Sequence, residues 1–341
     1  MSATTFTNND NLGAASSKET TSQSNYLFQQ LGEGYHATVY LSIAKQTADR
    51  ILTDHAAGPA SRDNRAKTLA KLRENTQALK ICRDRLVRGE QMNTIHNEAS
   101  ILGALSKHPH PNVVRLIEAD DAGSKKVWYT MPLSSTSTLQ QVLNTPWTTG
   151  TYKPPAAFGW HICLQMAKAF LYLHHGVLED GTTVPDWPLV AHRDPVDRNS
   201  LFMPWTKDAG GDKCEYPTLI IADFDRAQQL LPAGHPQAGR YEILQAQRKD
   251  LDALSFTAEC VARRIDEEAL MRWSTALANV SQPEAGAIRN EHAFNMLNRF
   301  VKAAEKRRET LYQPLPSEFR ALFGRSEVTD EELETAFPIL K

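Results

Sequence analysis

Hydrophobic residues follow two different spacings along this chain. Short apolar runs predict strands, at 26–41 (two strands joined by a glycine turn), 77–82, 113–118 and 127–131. Elsewhere apolar side chains recur every three or four positions, which predicts helices, among them 89–106, 156–175, 267–278 and 293–309. This order predicts an α+β protein with a small β-rich part followed by a larger helical part.

Four polar segments flank or interrupt these elements. Residues 1–23 are rich in Ser, Thr, Asn and Gly, a composition typical of a disordered tail. Residues 45–75 are mostly polar and have helical composition only in their second half, which predicts an insertion carrying one short helix. Residues 204–217 predict an exposed insertion between two strands, and 326–341 form a C-terminal tail.

Composition and charge predict an ordinary soluble protein. Of 341 residues, 41% are apolar and 23% charged, and the net charge of −2 gives no electrostatic signature for nucleic acid or an anionic membrane. The first residues lack the apolar core of a secretory signal, and no run approaches the ~20 apolar residues that span a bilayer. Four widely spaced cysteines fit a reducing compartment. We therefore expect a cytoplasmic or nuclear protein that binds neither nucleic acid nor membrane.

The strongest chemical signal is the octapeptide HRDPVDRN at 192–199, followed by the apolar strand and acidic turn IIADFD at 220–225. Phosphoryl transfer from ATP needs one carboxylate near the attacking hydroxyl and oxygen ligands for magnesium on the phosphates. Asp194 fits the first role, and Asn199 with Asp223 fits the second. The two segments therefore predict a phosphotransferase that uses ATP and Mg²⁺.

With this H-R-D-x-x-x-x-N loop and the later Asp-Phe, the chain resembles the eukaryotic protein kinase family. The resemblance implies a two-lobed protein kinase-like fold. The small β-rich N-lobe would span 24–133, with the insertion at 45–75. The larger helical C-lobe would span 134–325, with the insertion at 204–217.

The resemblance also implies a nucleotide site in the N-lobe. Gly32 and Gly34 correspond to a glycine-rich loop whose third glycine is Ala37 here, although such a hairpin alone is equally a tight turn. Lys80 would hold the α- and β-phosphates, and Glu98 would be its ion-pair partner. The full set of cofactor-binding residues implied is Gly32, Glu33, Gly34, Val39, Ala78, Lys80, Met131 and Leu133.

Two positions depart from the family pattern. Val196 replaces a lysine that steadies the transferred phosphate in most serine/threonine kinases, and Arg198 sits where tyrosine kinases carry an arginine. Arg198 either supplies the missing charge or is a surface ion-pair partner in an impaired site. Asp225 replaces the glycine after Asp-Phe, and it either binds a metal or stiffens the loop.

Further residues are implied as support for the site. Asp252 would brace the catalytic loop from a helix, and Glu242 would anchor the segment after the metal ligand. Residues 224–242 contain no Ser or Thr, so we expect constitutive geometry or control by a partner instead of Ser/Thr phosphorylation there. An apolar spine is implied as well, made of Leu102, Leu116, His192 and Phe224.

Three functions remain open at this point. The first is an active protein kinase that transfers the γ-phosphate to a protein hydroxyl, with Ser/Thr favoured over Tyr. The second is a pseudokinase scaffold, which is favoured by the departures from the family pattern at Val196 and Asp225. The third is a small-molecule phosphotransferase, in which an acidic residue often follows two positions after the metal ligand. A protein substrate or partner would dock at 45–75 or 204–217.

Overall fold

We describe the protein from a computed structural model, which covers residues 24–59, 61–82, 90–120, 128–135, 137–145, 154–204, 216–229, 240–281, 290–324 and 328–340. The predicted tail at 1–23 and most of the predicted insertion at 204–217 lie outside these ranges.

The strands, in chain order, are β1 (Asn25–Glu33), β2 (Ala37–Ala44), β3 (Gln77–Cys82), β4 (Glu118–Ala119), β5 (Trp128–Pro132), β6 (Val190–Ala191), β7 (Ser200–Phe202), β8 (Leu219–Ile221) and β9 (Gln228–Gln229).

The helices are α1 (Lys45–Ala57), α2 (Arg62–Glu74), α3 (Glu90–Leu105), α4 (Leu139–Asn144), α5 (Ala156–His175), α6 (Arg240–Ile265), α7 (Glu268–Ser281), α8 (Asn290–Thr310), α9 (Ser317–Arg320) and α10 (Asp330–Ala336). Short 3₁₀ turns occur at Asp197–Asn199, Phe224–Arg226, Ala321–Phe323 and Pro338–Leu340.

The described chain is a mixed α+β protein, as predicted, and it divides into two compact units. Unit 1 consists of the described parts of Met1–Ile95, Ile117–Met131 and Glu327–Lys341. Unit 2 consists of the described parts of His96–Leu116 and Pro132–Ser326.

A five-stranded sheet in the order β1-β2-β3-β5-β4 forms the centre of unit 1. Strands β1 to β3 are joined antiparallel, and the register places Val39 opposite Lys80 and Leu41 opposite Ala78. Strand β3 is buried at five of its six positions, and its Leu79 and Ile81 side chains pack with Trp128. The strands predicted at 26–41, 77–82 and 127–131 are thus confirmed.

The prediction of a strand at 113–118 is wrong, because the strand that pairs with β5 consists of Glu118–Ala119 alone. Of the preceding residues, Val113 and Val114 are buried and do not join the large sheet, whereas Ile117 is exposed and donates its N–H to the Thr130 carbonyl of β5 at 2.9 Å. The backbone N–H of Val114 donates to the carbonyl of Ile221 at 2.9 Å, and the N–H of Leu116 donates to the Ser106 hydroxyl at 2.9 Å. Single bonds to β8 and to a side chain satisfy this backbone, so no continuous ladder is needed.

The segment 45–75 contains two helices, α1 and α2, where the sequence predicted only the second. Helix α1 buries only Ala48 and Ile51, a stripe too narrow to stand out in a polar stretch. Helix α2 begins at a clear N-cap, where the Ser61 hydroxyl accepts the N–H of Asn64 at 3.1 Å.

The C-terminal segment 328–340 binds to the outside of α2 within unit 1. Arg73 donates from Nε to the carbonyl of Val328 at 3.0 Å and forms an ion pair with Asp330. Arg65, eight residues earlier on α2, makes the same kind of double contact. It binds the carbonyl of Leu340 at 2.9 Å and the Glu334 carboxylate.

Aromatic packing reinforces this attachment to the first strand. The Phe337 ring lies 4.9 Å from Tyr26 and 6.3 Å from Phe28, centroid to centroid, both edge-on. Residues 328–340 are therefore an integral part of unit 1, and part of the surface of the 45–75 insertion is covered by the chain itself.

The centre of unit 2 is α5, where the sequence predicted it. Nearly every residue of this helix is buried, including Trp160, Phe170 and Leu173, because α6 and α8 pack on it. A Cβ at Gly159 would lie 2.6 Å from the Ile265 side chain, so this glycine allows α5 and α6 to approach closely. The helices predicted at 89–106, 267–278 and 293–309 are also present, as α3, α7 and α8.

Two histidines of α5, the buried His161 and the half-buried His175, have lowered pKa values. Burial lowers the pKa of His161 to about 3, against the opposing effect of its hydrogen bond with the Pro217 carbonyl. Burial also lowers the pKa of His175 to about 3, with a further lowering from His174. Both imidazoles are therefore neutral in the folded protein at any pH above that value.

None of the described helices is both long enough and apolar enough to cross a bilayer. Of the cysteines within the described ranges, Cys163 and Cys260 are free thiols.

Replacing Arg73 with Ala should lower the free energy of unfolding by about 1–2 kcal/mol, because a backbone carbonyl and a carboxylate both lose their donor. Denaturant unfolding of R73A, D330A and the double variant measures the coupling between the two side chains. Lys71→Ala, an exposed cation on the same helix, is the matched control. Additive effects of R73A and D330A would contradict this contact.

His161 and His175 predict a loss of stability in acid. Their folded pKa values lie below the unfolded value of about 6.5, so the unfolded chain binds more protons as the pH falls from about 6.5 towards 3. Each contributes a slope of about 1.4 kcal/mol per pH unit in that window. His175→Leu should reduce the slope between pH 6 and 4 by about one proton, measured by urea unfolding, whereas changing the exposed His292 to Gln should not.

Candidate active site

The predicted catalytic loop lies between two small antiparallel strand pairs of unit 2. Strand β6 pairs with β9 before the loop, and β7 pairs with β8 after it. The register places Ser200 opposite Ile221, and the N–H of Ala222 donates to the Asn199 carbonyl at 2.8 Å. These pairings bring Asp223, the second predicted metal ligand, next to Asn199 although the two are far apart in sequence.

Three predicted site residues meet within the loop itself. The Asn199 amide nitrogen donates to the backbone carbonyl of Asp194 at 2.9 Å. The Arg198 guanidinium donates to the Asp194 carboxylate at 3.3 Å. Asp194 is only partly exposed, whereas the Arg198 side chain is 59% exposed. Because the Asn199 nitrogen is used in this contact, its amide oxygen is the atom that remains for a cation.

A buried aspartate on α6 holds the backbone at the start of the loop. The Asp250 carboxylate accepts the N–H of His192 at 2.9 Å and the N–H of Arg193 at 2.8 Å, one on each oxygen. The His174 ring of α5 contacts the same carboxylate at 2.8 Å. Asp250 is fully buried, and these charge-assisted bonds satisfy both its oxygens.

The sequence assigned this role to Asp252, and that assignment is wrong. Asp252 is exposed and lies 3.7 Å from Arg248, its neighbour one turn earlier on α6. Two positions along a helix correspond to a rotation of about 200°, so the two aspartates face opposite sides. Asp250 lies on the same face of α6 as the buried residues Leu254 and Ala258. This four-residue spacing is the sequence signal that distinguishes Asp250 from Asp252.

Two residues of the site have left-handed backbone conformations. Arg193 has φ 67° and Asp223 has φ 65°, a region that non-glycine residues rarely adopt. Such strain persists only where surrounding contacts fix the backbone, and it concentrates at functional sites. The Asp250 carboxylate supplies that fixation for Arg193.

Phe224 joins the metal-ligand turn to the loop and to α3. Its ring lies 4.5 Å from the His192 ring, and its N–H donates to the Glu98 carboxylate at 2.9 Å. The His192 Nε2–H donates in turn to the Ala222 carbonyl at 2.9 Å. His192 and Phe224 thus pack together as predicted. Glu98 is fully buried and binds the backbone beside the predicted metal ligand.

Lys80 belongs to unit 1, whereas Glu98 belongs to unit 2. Lys80 is buried in β3, directly across from Val39, and its ammonium lies 5.8 Å from the centroid of the Tyr129 ring. Ala78 is buried two positions away from Lys80 on the same strand. The sheet therefore brings three of the predicted cofactor-binding residues together.

The glycine turn leaves open space beside the first two strands. A Cβ at Gly32 would meet nothing within 4 Å, and one at Gly34 would lie 3.7 Å from the Ala37 carbonyl. Neither glycine is therefore required by crowding within the chain, and the lack of side chains there favours the approach of a ligand to the backbone. Glu33 is exposed between them.

The last two predicted cofactor-binding residues lie at the end of the fifth strand and just after it. Met131 is half-buried near the end of β5, and Leu133 is buried just after it, in unit 2. Asp225 is half-buried in the 3₁₀ turn that follows Asp223.

One residue of the loop was not singled out from the sequence. The Asp197 carboxylate accepts the hydroxyl of Thr257 on α6 at 3.0 Å. Burial raises the pKa of Asp197, while the hydrogen bond with Thr257 and the charge of Arg264 oppose that effect. Asp197 occupies a variable position of the motif, so only its burial in the structure identifies it as a second link between the loop and α6.

The donor set suits a hard cation. Asn199 and Asp223 contribute an amide oxygen and a carboxylate, the type and number of ligands with which proteins hold Mg²⁺ on phosphates. Within the described ranges, no group of three or more His, Cys, Asp or Glu side chains has metal-binding geometry. The predictions for 230–239, and for the side chains of Tyr241 and Glu242, lie outside the described residues.

No protein-family model matches this chain, and no curated protein matches it.

Replacing Asp250 with Ala should lower the free energy of unfolding by about 2–5 kcal/mol, because two buried N–H groups lose their acceptor. Asp252→Ala is the matched control on the same helix, with an expected change within about 0.5 kcal/mol. Denaturant unfolding monitored by tryptophan fluorescence measures both. Equal effects of the two substitutions would contradict the role given to Asp250.

Proposed function

We propose that this chain is an ATP- and Mg²⁺-dependent protein kinase that transfers the γ-phosphate to a protein hydroxyl, with Ser and Thr favoured. Under this proposal unit 1 corresponds to the N-lobe and unit 2 to the C-lobe of a protein kinase-like fold. The proposal rests on the resemblance of the sequence motifs and on the geometry of the loop at 192–199.

One observation carries the proposal. A single short loop presents a carboxylate, a cation and an amide oxygen, and a backbone hydrogen bond places a second carboxylate beside it. Phosphoryl transfer requires that combination, because its catalysis is mainly positioning and stabilisation of charge. Two strained backbone positions at the same place add support, since strain is rarely retained without a function.

In this proposal the chain acts through positioning. The Asp194 carboxylate accepts the proton of the attacking hydroxyl, and Asn199 and Asp223 would hold the magnesium ion. Lys80 would hold the α- and β-phosphates, with Glu98 in support. Mg-ATP, when bound, supplies the phosphoryl group and neutralises the charge on its oxygens.

Arg198 is assigned the role of the missing lysine. Val196 has no charge, and its backbone N–H donates to the Asp194 carbonyl at 2.9 Å. The Arg198 guanidinium already lies at the Asp194 carboxylate, on a long and exposed side chain. An exposed ion pair of this kind holds its partners weakly, so the guanidinium can exchange the carboxylate for a phosphate oxygen.

The same contact favours a second candidate function, a pseudokinase scaffold. If the guanidinium stays on Asp194, it occupies the carboxylate that the attacking hydroxyl would have to reach. A partner protein would then bind without phosphoryl transfer, and the surface proposed for docking is the part of α1 and α2 that residues 328–340 leave uncovered.

The test is transfer of radiolabelled γ-phosphate from Mg-ATP to the chain itself and to a basic protein such as a histone. We expect Asp194→Asn to lower the rate by about 10²–10⁴-fold, since the proton acceptor is lost. Arg198→Ala should lower the rate by at least about tenfold, with partial recovery in Arg198→Lys. Arg263→Ala, an exposed cation on α6, is the control.

Absence of transfer with both Mg²⁺ and Mn²⁺ would favour the scaffold. A rate unchanged in Asp194→Asn would also contradict the proposed mechanism. Transfer to small alcohols or aminoglycosides without transfer to protein would replace the protein acceptor with a small molecule.

A further inference from the structure

Unit 2 contains a cavity that no part of the proposed reaction uses. It has a volume of about 790 Å³ and lies among α5, α7 and α8. Its size is in the range of pockets that hold small organic ligands. Its walls combine two tryptophans and several small apolar residues with four basic side chains.

The inner wall is aromatic and contains a buried donor. Trp160 is fully buried, and its ring lies 6.2 Å from Phe300, which is also 5.4 Å from the Trp273 ring. The indole N–H of Trp160 has no hydrogen-bond acceptor within the described part of the protein. That nitrogen has almost no accessible surface, so this wall is suited to a ligand through its aromatic rings, which fit a flat apolar body.

The outer wall is strongly basic. Arg272, Arg299, Lys306 and Arg307 line the cavity, and no acidic side chain among the described residues does. Arg272 pairs with Glu268 at 2.7 Å, whereas no carboxylate of the described residues pairs with the other three.

The geometry of α8 explains why these charges converge. Arg299 precedes Lys306 and Arg307 by two helical turns, so the three lie on one face of the helix. Like charges gathered on one face repel each other, and a bound anion relieves that repulsion.

We propose that this cavity binds a small amphipathic anion, with a flat apolar or aromatic body against Trp160 and Trp273 and a carboxylate, sulfonate or phosphate group at the basic outer wall. Arginine is suited to this role because its planar guanidinium binds such groups through two parallel hydrogen bonds. The cavity does not involve the catalytic loop, so the inference holds or fails independently of the proposed kinase activity.

The test uses two fluorescent probes with nearly the same aromatic body, the anion 8-anilinonaphthalene-1-sulfonate and the uncharged N-phenyl-1-naphthylamine. Titrated into the full chain in the absence of ATP, the anion should bind at one saturable site. In the double variant Arg299→Gln/Lys306→Gln its dissociation constant should rise at least about tenfold, while binding of the uncharged probe changes less than about twofold. Lys302→Gln, an exposed cation of α8 outside the cavity, is the matched control.

A second variant locates the probe. Ala303 lines the cavity on α8, and Ala303→Met fills part of it while keeping a good helix former. Both probes should bind more weakly to this variant. Circular dichroism checks that the variants remain folded.

Equal affinity of the anion for the double variant and for Lys302→Gln would overturn the proposal, because the basic wall would then not recognise the charge. Undiminished binding of both probes to Ala303→Met would overturn it as well, because the probes would lie elsewhere. If 2-naphthoate fails to displace the bound anion and an acidic, aromatic-rich peptide succeeds, the small-ligand assignment is overturned in favour of a peptide partner.

Discussion

The candidate active site depends on one buried carboxylate that binds two consecutive backbone N–H groups. Asp250 fixes the peptides of His192 and Arg193, and the left-handed conformation of Arg193 requires such a restraint. Without it, the loop that carries Asp194 has no fixed starting direction. The carboxylate is itself held by the His174 ring, so α5 and α6, the two helices at the centre of unit 2, together set where the loop begins.

The rest of the site is built outward from that point. His192 packs on Phe224, and the Phe224 N–H binds Glu98 of α3. The strand pair β7–β8 keeps Asn199 beside the turn that carries Asp223. Rigid elements thus determine the positions of the acidic groups, whereas Arg198, which contacts Asp194, has an exposed side chain.

The local motifs and the long buried helix were predictable from sequence, whereas features set by tertiary packing were not. Spacing within 192–199 identified Asp194 and Asn199 because residues that act together there are also close in sequence. Helix α5 was predicted because its apolar face is wide. Helix α1 was missed because it buries only two residues. The prediction of Asp252 was wrong because a motif match alone does not say which of two aspartates, two residues apart on a helix, faces inward. The helical periodicity of the buried residues decides that.

The attachment of residues 328–340 to α2 has a consequence for the order of events during synthesis. The bond from Arg65 to Leu340 joins residues 275 positions apart in the chain. Strands β1 to β3 and the helices between them therefore leave the ribosome long before the segment that covers them. Unit 1 therefore remains incompletely covered while residues 132–326 are translated, and Tyr26 and Phe28 lack their contacts with Phe337 until residue 337 has been made.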